Sequence, residues 1–288
     1  MLLGTVSLWA LNFTVSKYIL NEGFRPLSYS AVRYACAALI FLAITVLWEG
    51  SVRIGRGQLG LAGACVVLLF ANQLSFVYAL KFTTATTVAL LFGTLPIFTA
   101  LFARGSGVEH LSVRFWAAAL LSFAGVTFVA IGSGGNLSAD LEGDALAVSG
   151  AITWAGYSVA LAPLMRRYSP FRLSAVFLAV VTVPLALAGS QQLSTQRFDF
   201  PALVWLGFAF AVLGPLVTTN FLWFTAIDRV GPSRASLFAN LQPFLAAIVA
   251  LLVLSEHITA LQVVGGMAIG GGIVLAPRRA PAPEPPAE

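Results

Sequence analysis

Ten runs of predominantly apolar residues follow one another along the chain. They lie at roughly 1–20, 28–48, 58–80, 83–103, 112–132, 143–165, 170–190, 201–225, 231–254 and 258–276. A helix needs about 20 such residues to cross the hydrocarbon of a bilayer. In lipid every backbone N–H and C=O must be bonded inside the segment, so runs of this kind fold as helices. The chain is 59% hydrophobic and 9% charged, where a soluble domain carries roughly 25% charge. Its mean hydropathy is +0.91. A soluble surface built from so few charges would be one continuous apolar patch. A soluble enzyme, a nucleic-acid-binding domain and a disordered chain are excluded. The expected fold class is an all-α integral membrane protein with ten transmembrane helices.

The charges that remain are informative by position. All eleven acidic residues fall in or beside connections, and none lies near the middle of a run. Basic residues set membrane orientation. With a cytoplasmic N-terminus, the inner side carries Arg53, Arg56, Arg104, Arg114, Arg166, Arg167, Arg172, Arg229, Arg234, Arg278 and Arg279. The outer side then carries Lys17, Arg25, Arg33, Lys81 and Arg197, a split of 11 against 5 that puts both termini in the cytoplasm. The connections are short; Ser133–Glu142 and Ser190–Phe200 are the longest and hold no further domain. Residues 277–288 are rich in Pro and Ala and are expected to be a disordered cytoplasmic tail. Met1 opens straight into an apolar run, without the basic region or cleavage site of a signal peptide, so the start reads as a retained span. Cys36 and Cys65 sit in apolar runs and read as small hydrophobes. His110 and His257 have no second ligand nearby in sequence, and neither a metal nor a cofactor is expected.

The chain also repeats itself. Trp9-Ala10 matches Trp154-Ala155, Pro26 matches Pro170, and Ser30-Ala31-Val32 matches Ser174-Ala175-Val176. Further along, Ala79 matches Ala226, Pro96 matches Pro243, Glu109-His110-Leu111 matches Glu256-His257-Ile258, and Gly125 matches Gly272. The nearly constant offset points to duplication, with halves at 1–138 and 139–276. Five spans in each half is an odd number, so the second half must enter the membrane from the opposite side. Two inverted repeats of this kind suit alternating access, with a site near the midplane where they meet. Duplication that merely built a stable bundle is the alternative.

These residues resemble a known family. Ser7-Leu8-Trp9-Ala10-Leu11-Asn12-Phe13, Lys17, Pro26 and Arg33-Tyr34 look like the opening of an EamA-type module of the drug/metabolite transporter superfamily. Tyr78-Ala79-Leu80, the stretch 83–96 and Glu109 look like its second part. Trp223-Phe224-Thr225-Ala226-Ile227, the stretch 231–237, Asn240-Leu241-Gln242-Pro243, Glu256 and Gly265 look like the second copy. The resemblance implies a multi-pass transporter of the bacterial inner membrane that exports small metabolites, and amino-acid exporters of the YddG type are the nearest likeness. Neutral or aromatic amino acids are then the expected substrates; nucleosides, sugars and drugs stay open. The second copy departs from the first, with Ala162 and Phe177 where the first has Lys17 and Arg33. A symmetric site is therefore in doubt.

Polar side chains within spans are expensive without partners. Asn12, Asn72, Gln73, Asn220, Asn240 and Gln242 all lie inside runs. Trp9, Asn12, Phe13 and Ser16 share one helix face, and Trp154, Tyr157 and Ser158 share another. The expected substrate-binding set is Trp9, Asn12, Asn72, Gln73, Tyr78, Trp154, Tyr157, Asn220, Asn240 and Gln242. Aromatic rings would give apolar contact there, and amides would orient polar groups. Hydrogen bonding between helices is the other role open to each amide. Pro96 and Pro243 occupy equivalent places, each removes a helical donor, and both are expected as kinks near the site. Pro184 and Pro215 lack that pairing and read as plain kinks.

Lys17, Arg25, Arg33 and Lys81 lie toward the outer ends of the first four spans and are expected as a basic mouth, or as side chains reaching to lipid phosphates. Gly266 and Gly270 make a small-residue step that fits packing within one chain or a homodimer face. The run 259–262 reads as a helix capping box. No acidic residue sits mid-span, which disfavours a cation pump with a central counter-ion and a simple proton antiport. Facilitated export is the plainer expectation. A membrane-embedded enzyme would need a catalytic set within the spans, and a channel would need charge rings or filter loops; neither pattern is present.

Overall fold

In a computed structural model the described residues are 1–132, 140–246, 248 and 259–277, and every regular element among them is helical. The first half contains α1 (Leu2–Asn21), α2 (Pro26–Glu49), α3 (Leu59–Phe82), α4 (Ala85–Phe92), α5 (Leu95–Gly105) and α6 (Val113–Gly132). The second contains α7 (Leu141–Met165), α8 (Pro170–Ala188), the short α9 (Ser190–Ser194), α10 (Ala202–Val212), α11 (Thr219–Val230), α12 (Pro232–Ala239) and α13 (Ala260–Leu275). Among the described residues seven segments are long and apolar enough to span a membrane: 26–49, 56–82, 85–105, 113–132, 141–165, 170–188 and 202–230. Helix α1 reaches spanning length but carries Asn12, Lys17 and Asn21 and is less apolar. Helix α13 has 16 residues. The expected span at 231–254 is described only in part. The connection 133–139, Glu256, His257 and the tail beyond residue 277 lie outside the described residues.

Three expected spans are interrupted. The run at 83–103 is two helices, because α4 ends at Phe92 and α5 restarts at Leu95 with Pro96 in its first turn. Between them Gly93 N donates to Leu90 O at 2.9 Å and Thr94 N to Leu91 O at 3.1 Å, a tightened turn. The second half does the same. Helix α12 ends at Ala239, Asn240 N donates to Leu237 O at 3.3 Å and Leu241 N to Phe238 O at 3.0 Å, and helix resumes at residue 242 with Pro243 next in line. Pro96 and Pro243 therefore start new helices and do not kink continuous ones. The physical reason is the missing N–H: a proline is tolerated in a first turn, whose donors are free anyway. Pro215 is likewise no plain kink, because it lies in a π-helical turn, Leu213–Thr218, between α10 and α11.

The most extensive helix pairings join the two halves: α6 with α13, α3 with α7 and α2 with α8. Small residues permit them. A β-carbon at Gly143 of α7 would stand 3.0 Å from Thr83 N at the end of α3, and one at Gly272 of α13 would stand 2.9 Å from Ser122 Cβ of α6. Without a hydrophobic drive between helices in lipid, such close van der Waals approach is what binds them. The run 259–262 forms the expected capping box, with Thr259 N donating to Gln262 Oε1 at 2.7 Å and Gln262 N donating to Thr259 Oγ1 at 3.3 Å.

The segment after α8 also ties the halves. Arg25 caps α2 without a side-chain bond. The free N–H groups of the entry to α2 are met from 190–200 instead: Arg25 N donates to Gln196 Oε1 at 2.8 Å and Leu27 N to Gln192 Oε1 at 2.9 Å. On the first half Glu109 does the reciprocal job for α12, its Oε2 accepting from Ser233 N at 3.2 Å. A carboxylate is favoured there by the helix dipole.

Candidate functional site

A cavity of about 700 Å³, counting its open mouth, lies where the two halves meet. Both interrupted helices reach it: Phe92 and Leu95 flank the first break, and Gln242 opens the helix after the second. The π-helical turn contributes Pro215 and Leu216. Turns of that kind recur at functional sites, because the extra residue widens the helix and redirects side chains.

Of the ten residues expected to bind substrate, seven line this cavity: Trp9, Asn12, Asn72, Gln73, Trp154, Asn220 and Gln242. Their amides are only partly engaged. Asn12 Oδ1 accepts from Ser16 Oγ at 3.2 Å, and Asn72 Nδ2 donates to Gly150 O at 2.9 Å. Gln73 Nε2 donates to Ser30 Oγ at 2.9 Å. Among the described residues, no hydrogen bond engages the side chains of Asn220 and Gln242. Hydrogen-bonding capacity is thus held at the wall of a chamber lined mostly by apolar and aromatic side chains.

The other three lie elsewhere. Tyr78 packs at the end of α3, where its hydroxyl accepts from Gln192 Nε2 at 3.2 Å, so it fastens the 190–200 segment. Tyr157 is buried behind Trp154, with ring centroids 5.4 Å apart, and packs on Phe177 and Phe224. Asn240 turns toward α6, donating from Nδ2 to Ser122 Oγ at 3.0 Å. In each case a nearby polar or aromatic partner holds the side chain away from the chamber.

The aromatic wall has two clusters. Trp9, Trp154 and Trp223 meet with centroids 5.5 Å apart for Trp9–Trp154 and 4.9 Å for Trp9–Trp223. Trp9 Nε1 donates to Thr219 Oγ1 at 3.0 Å, and that hydroxyl in turn bonds the Pro215 carbonyl. Phe13, Phe76 and Phe92 form the second cluster, with centroids 5.7 to 6.3 Å apart. Edge and tilted contacts of this kind hold rings rigidly. Phe13 shares its helix face with Trp9 and Asn12, so its place was legible from spacing; Phe76, Phe92 and Tyr34 gave no such signal.

Each basic residue expected at the mouth has a partner of its own. Arg33 is 4% exposed and lines the cavity. Its Nη1 donates to the Tyr29 hydroxyl at 3.2 Å and its Nη2 to Gln73 Oε1 at 3.1 Å. Lys17 donates to Leu80 O at 2.5 Å and Thr83 O at 3.0 Å, so its ammonium ties down the last carbonyls of α3. Arg25 bonds Thr195. Lys81 is exposed, its Nζ 5.3 Å from the Phe82 ring. Carbonyls, hydroxyls, amides or rings near each of them thus supply a close partner.

Comparison with known proteins agrees with this architecture. A solved crystal structure superposes with a TM-score of 0.74 over 94% of this chain and 95% of its own, at 18% identity, which shows a shared fold. An uncharacterized transporter of Archaeoglobus fulgidus is 29% identical over 287 residues, covering 94% of each chain. The uncharacterized transporter YyaM of Bacillus subtilis is 27% identical, covering 96% of this chain and 92% of its own. The uncharacterized inner membrane transporter YedA of Escherichia coli is 25% identical over 232 residues, covering 79% of this chain and 73% of its own. The family model described as EamA-like transporter family matches residues 1–131 and 141–276. With nearly its whole length matched, this chain belongs to the EamA-like transporter family.

Proposed function

We propose that the chain exports small polar metabolites, foremost neutral or aromatic amino acids, across a bacterial inner membrane. In this reading ten spans form two inverted repeats, 1–138 and 139–276, and the solute crosses by alternating access through the chamber between them. Both termini face the cytoplasm, as the distribution of basic residues favours. The carrying observation is the chamber itself: partly unengaged amides and two rigid aromatic clusters, set where two proline-started helix breaks occupy equivalent places. Discontinuous helices of that kind mark transporter sites, since a break exposes backbone groups to a solute. The two stretches matched by the family model support the duplication. The inner-membrane description of YedA supports the location. The residues lining the chamber all come from one chain, so a monomer suffices to build it.

The test is efflux of labelled amino acids from proteoliposomes, with and without an imposed pH gradient. Efflux without a gradient, lowered about tenfold in Gln242→Ala and in Asn12→Ala, is the expected result. Efflux that requires the gradient would replace facilitated export by proton coupling. Efflux of labelled nucleosides or sugars but of no amino acid would overturn the substrate class and leave the fold standing.

A further inference from the structure

Arg33 carries a permanent charge into the spanning part of α2. It stands seven residues past Pro26, about 10 Å along the axis at 1.5 Å per residue. Its direct partners, Tyr29 and Gln73, are neutral. The rings of Tyr29 and Tyr34 lie 5.0 and 5.8 Å from its Cζ and add cation–π attraction, again from neutral groups. Its Nε is buried and makes no hydrogen bond among the described residues. Among those residues no carboxylate reaches the guanidinium; the ion pair they form joins Arg172 and Glu49 at 3.1 Å, on α8 and α2's far end. An arginine cannot shed its proton to relieve this. Basic residues at membrane depth pair with a counter-charge or face a water-filled cavity. Arg33 faces the chamber.

We propose that Arg33 is the carboxylate-binding residue of the chamber, and that the transported solute supplies its missing counter-charge. This rests on reading the chamber as the translocation site. The guanidinium fork matches the two oxygens of a carboxylate, a pairing that a lysine cannot reproduce. Gln73 and Tyr29 hold the fork in place, one on each terminal nitrogen. One guanidinium balances one negative charge, which fits a carboxylate and leaves a phosphate dianion half unmatched. The rest of the solute then meets Trp9, Trp154 and the open amides of Asn220 and Gln242. The site is one-sided, since Phe177 stands in the second half where Arg33 stands in the first.

The experiment titrates the intrinsic tryptophan fluorescence of the purified full-length protein with L-leucine, L-phenylalanine, L-threonine and the amide of each. Counterflow of the labelled amino acids into proteoliposomes is measured beside it. The expected result is acid bound about 10- to 100-fold more tightly than amide, the range of a charge-assisted hydrogen bond. That ratio falls to about one in Arg33→Gln and recovers only in part in Arg33→Lys. Gln73→Glu tests the same idea without touching the arginine: it keeps an acceptor on Nη2 and installs an internal counter-charge, so the acid preference collapses there too. Should Arg33→Gln fail to fold, Gln73→Glu decides. Equal binding of acid and amide by the unaltered protein, with counterflow intact, overturns the proposal and spares the transport reading. A preference that survives Arg33→Gln overturns it as well, as does inorganic phosphate competing better than the amino acids. Neither binding nor counterflow of any of them overturns both.

Discussion

Gly125 on α6 and Gly265 on α13 touch backbone to backbone. A β-carbon on either would stand 2.6 Å from the carbonyl oxygen of the other. About two turns away, a β-carbon on Gly272 would stand 2.7 Å from Ala118 O. Sequence number rises along one helix as it falls along the other, so the two run antiparallel. The offset that matches Gly125 to Gly272 also matches Ala118 to Gly265. The two contacts are therefore images of one another when the halves are exchanged, which supports a two-fold relation between the halves.

Gly265→Ala should lower stability by about 1–3 kcal/mol, because the clash is with backbone that cannot rotate aside. Gly270→Ala, with nothing within 4 Å of its β-carbon, should change it by less than about 0.5 kcal/mol. Thermal unfolding in detergent separates the two; equal shifts would mean that α6 and α13 are not packed at this closeness.

Lys17→Met should destabilise by about 1–3 kcal/mol, since it strips a charged donor from the Leu80 and Thr83 carbonyls. Lys81→Met, at an exposed position, should stay within about 0.5 kcal/mol. Unfolding midpoints and amino-acid efflux are the readouts. A fall in efflux for Lys81→Met at unchanged stability would support a basic mouth.

Thr219→Val keeps the shape of the side chain but leaves the Trp9 indole N–H without its acceptor. A buried donor left unpaired should cost about 1–3 kcal/mol. Thr219→Ser keeps the hydroxyl and should be near neutral. The shift should register in tryptophan emission as well as in unfolding; identical behaviour of the two variants would mean that this bond contributes nothing to the wall.

Gln242→Ala and Asn240→Ala should divide cleanly although they lie two residues apart. The first faces the chamber and should lower amino-acid efflux about tenfold, the equivalent of one hydrogen bond, at unchanged stability. The second removes the donor to Ser122 and should lower stability by about 1 kcal/mol. Proteoliposome efflux beside thermal unfolding checks both, and the reverse pattern would mean that the break at 240–241 presents Asn240 to the solute.

Much of the site was legible because cost points to purpose. A carboxamide within an apolar run needs a partner or a cavity, and Asn12, Asn72, Gln73, Asn220 and Gln242 all line the chamber, with Trp9 on the Asn12 face. Asn240 shows the limit. It and Gln242 flank Leu241 in one apolar run, and the turn at the helix break sends the two side chains in different directions. Tyr78 was misplaced because nothing near it in sequence announces Gln192, its hydrogen-bond partner 114 residues away.

Length, apolarity and proline position are local quantities. From them the sequence alone determined that the chain builds apolar helices of membrane length, one of them starting at Pro170, and the offset at which Trp9 and Pro96 find their counterparts. Whether a proline bends a helix or begins a new one is not local. At Gly93 the break is closed over by Val126 of α6, 2.8 Å from where a β-carbon would be, and that neighbour is supplied by packing. The depth of Arg33 is the same kind of fact. Sequence position put it near a span's outer end, but the approach of α3 carrying Gln73, and of the π-helical turn, wraps it into the chamber wall. A charge takes its role from the dielectric and partners around it, and those exist only once distant helices have met.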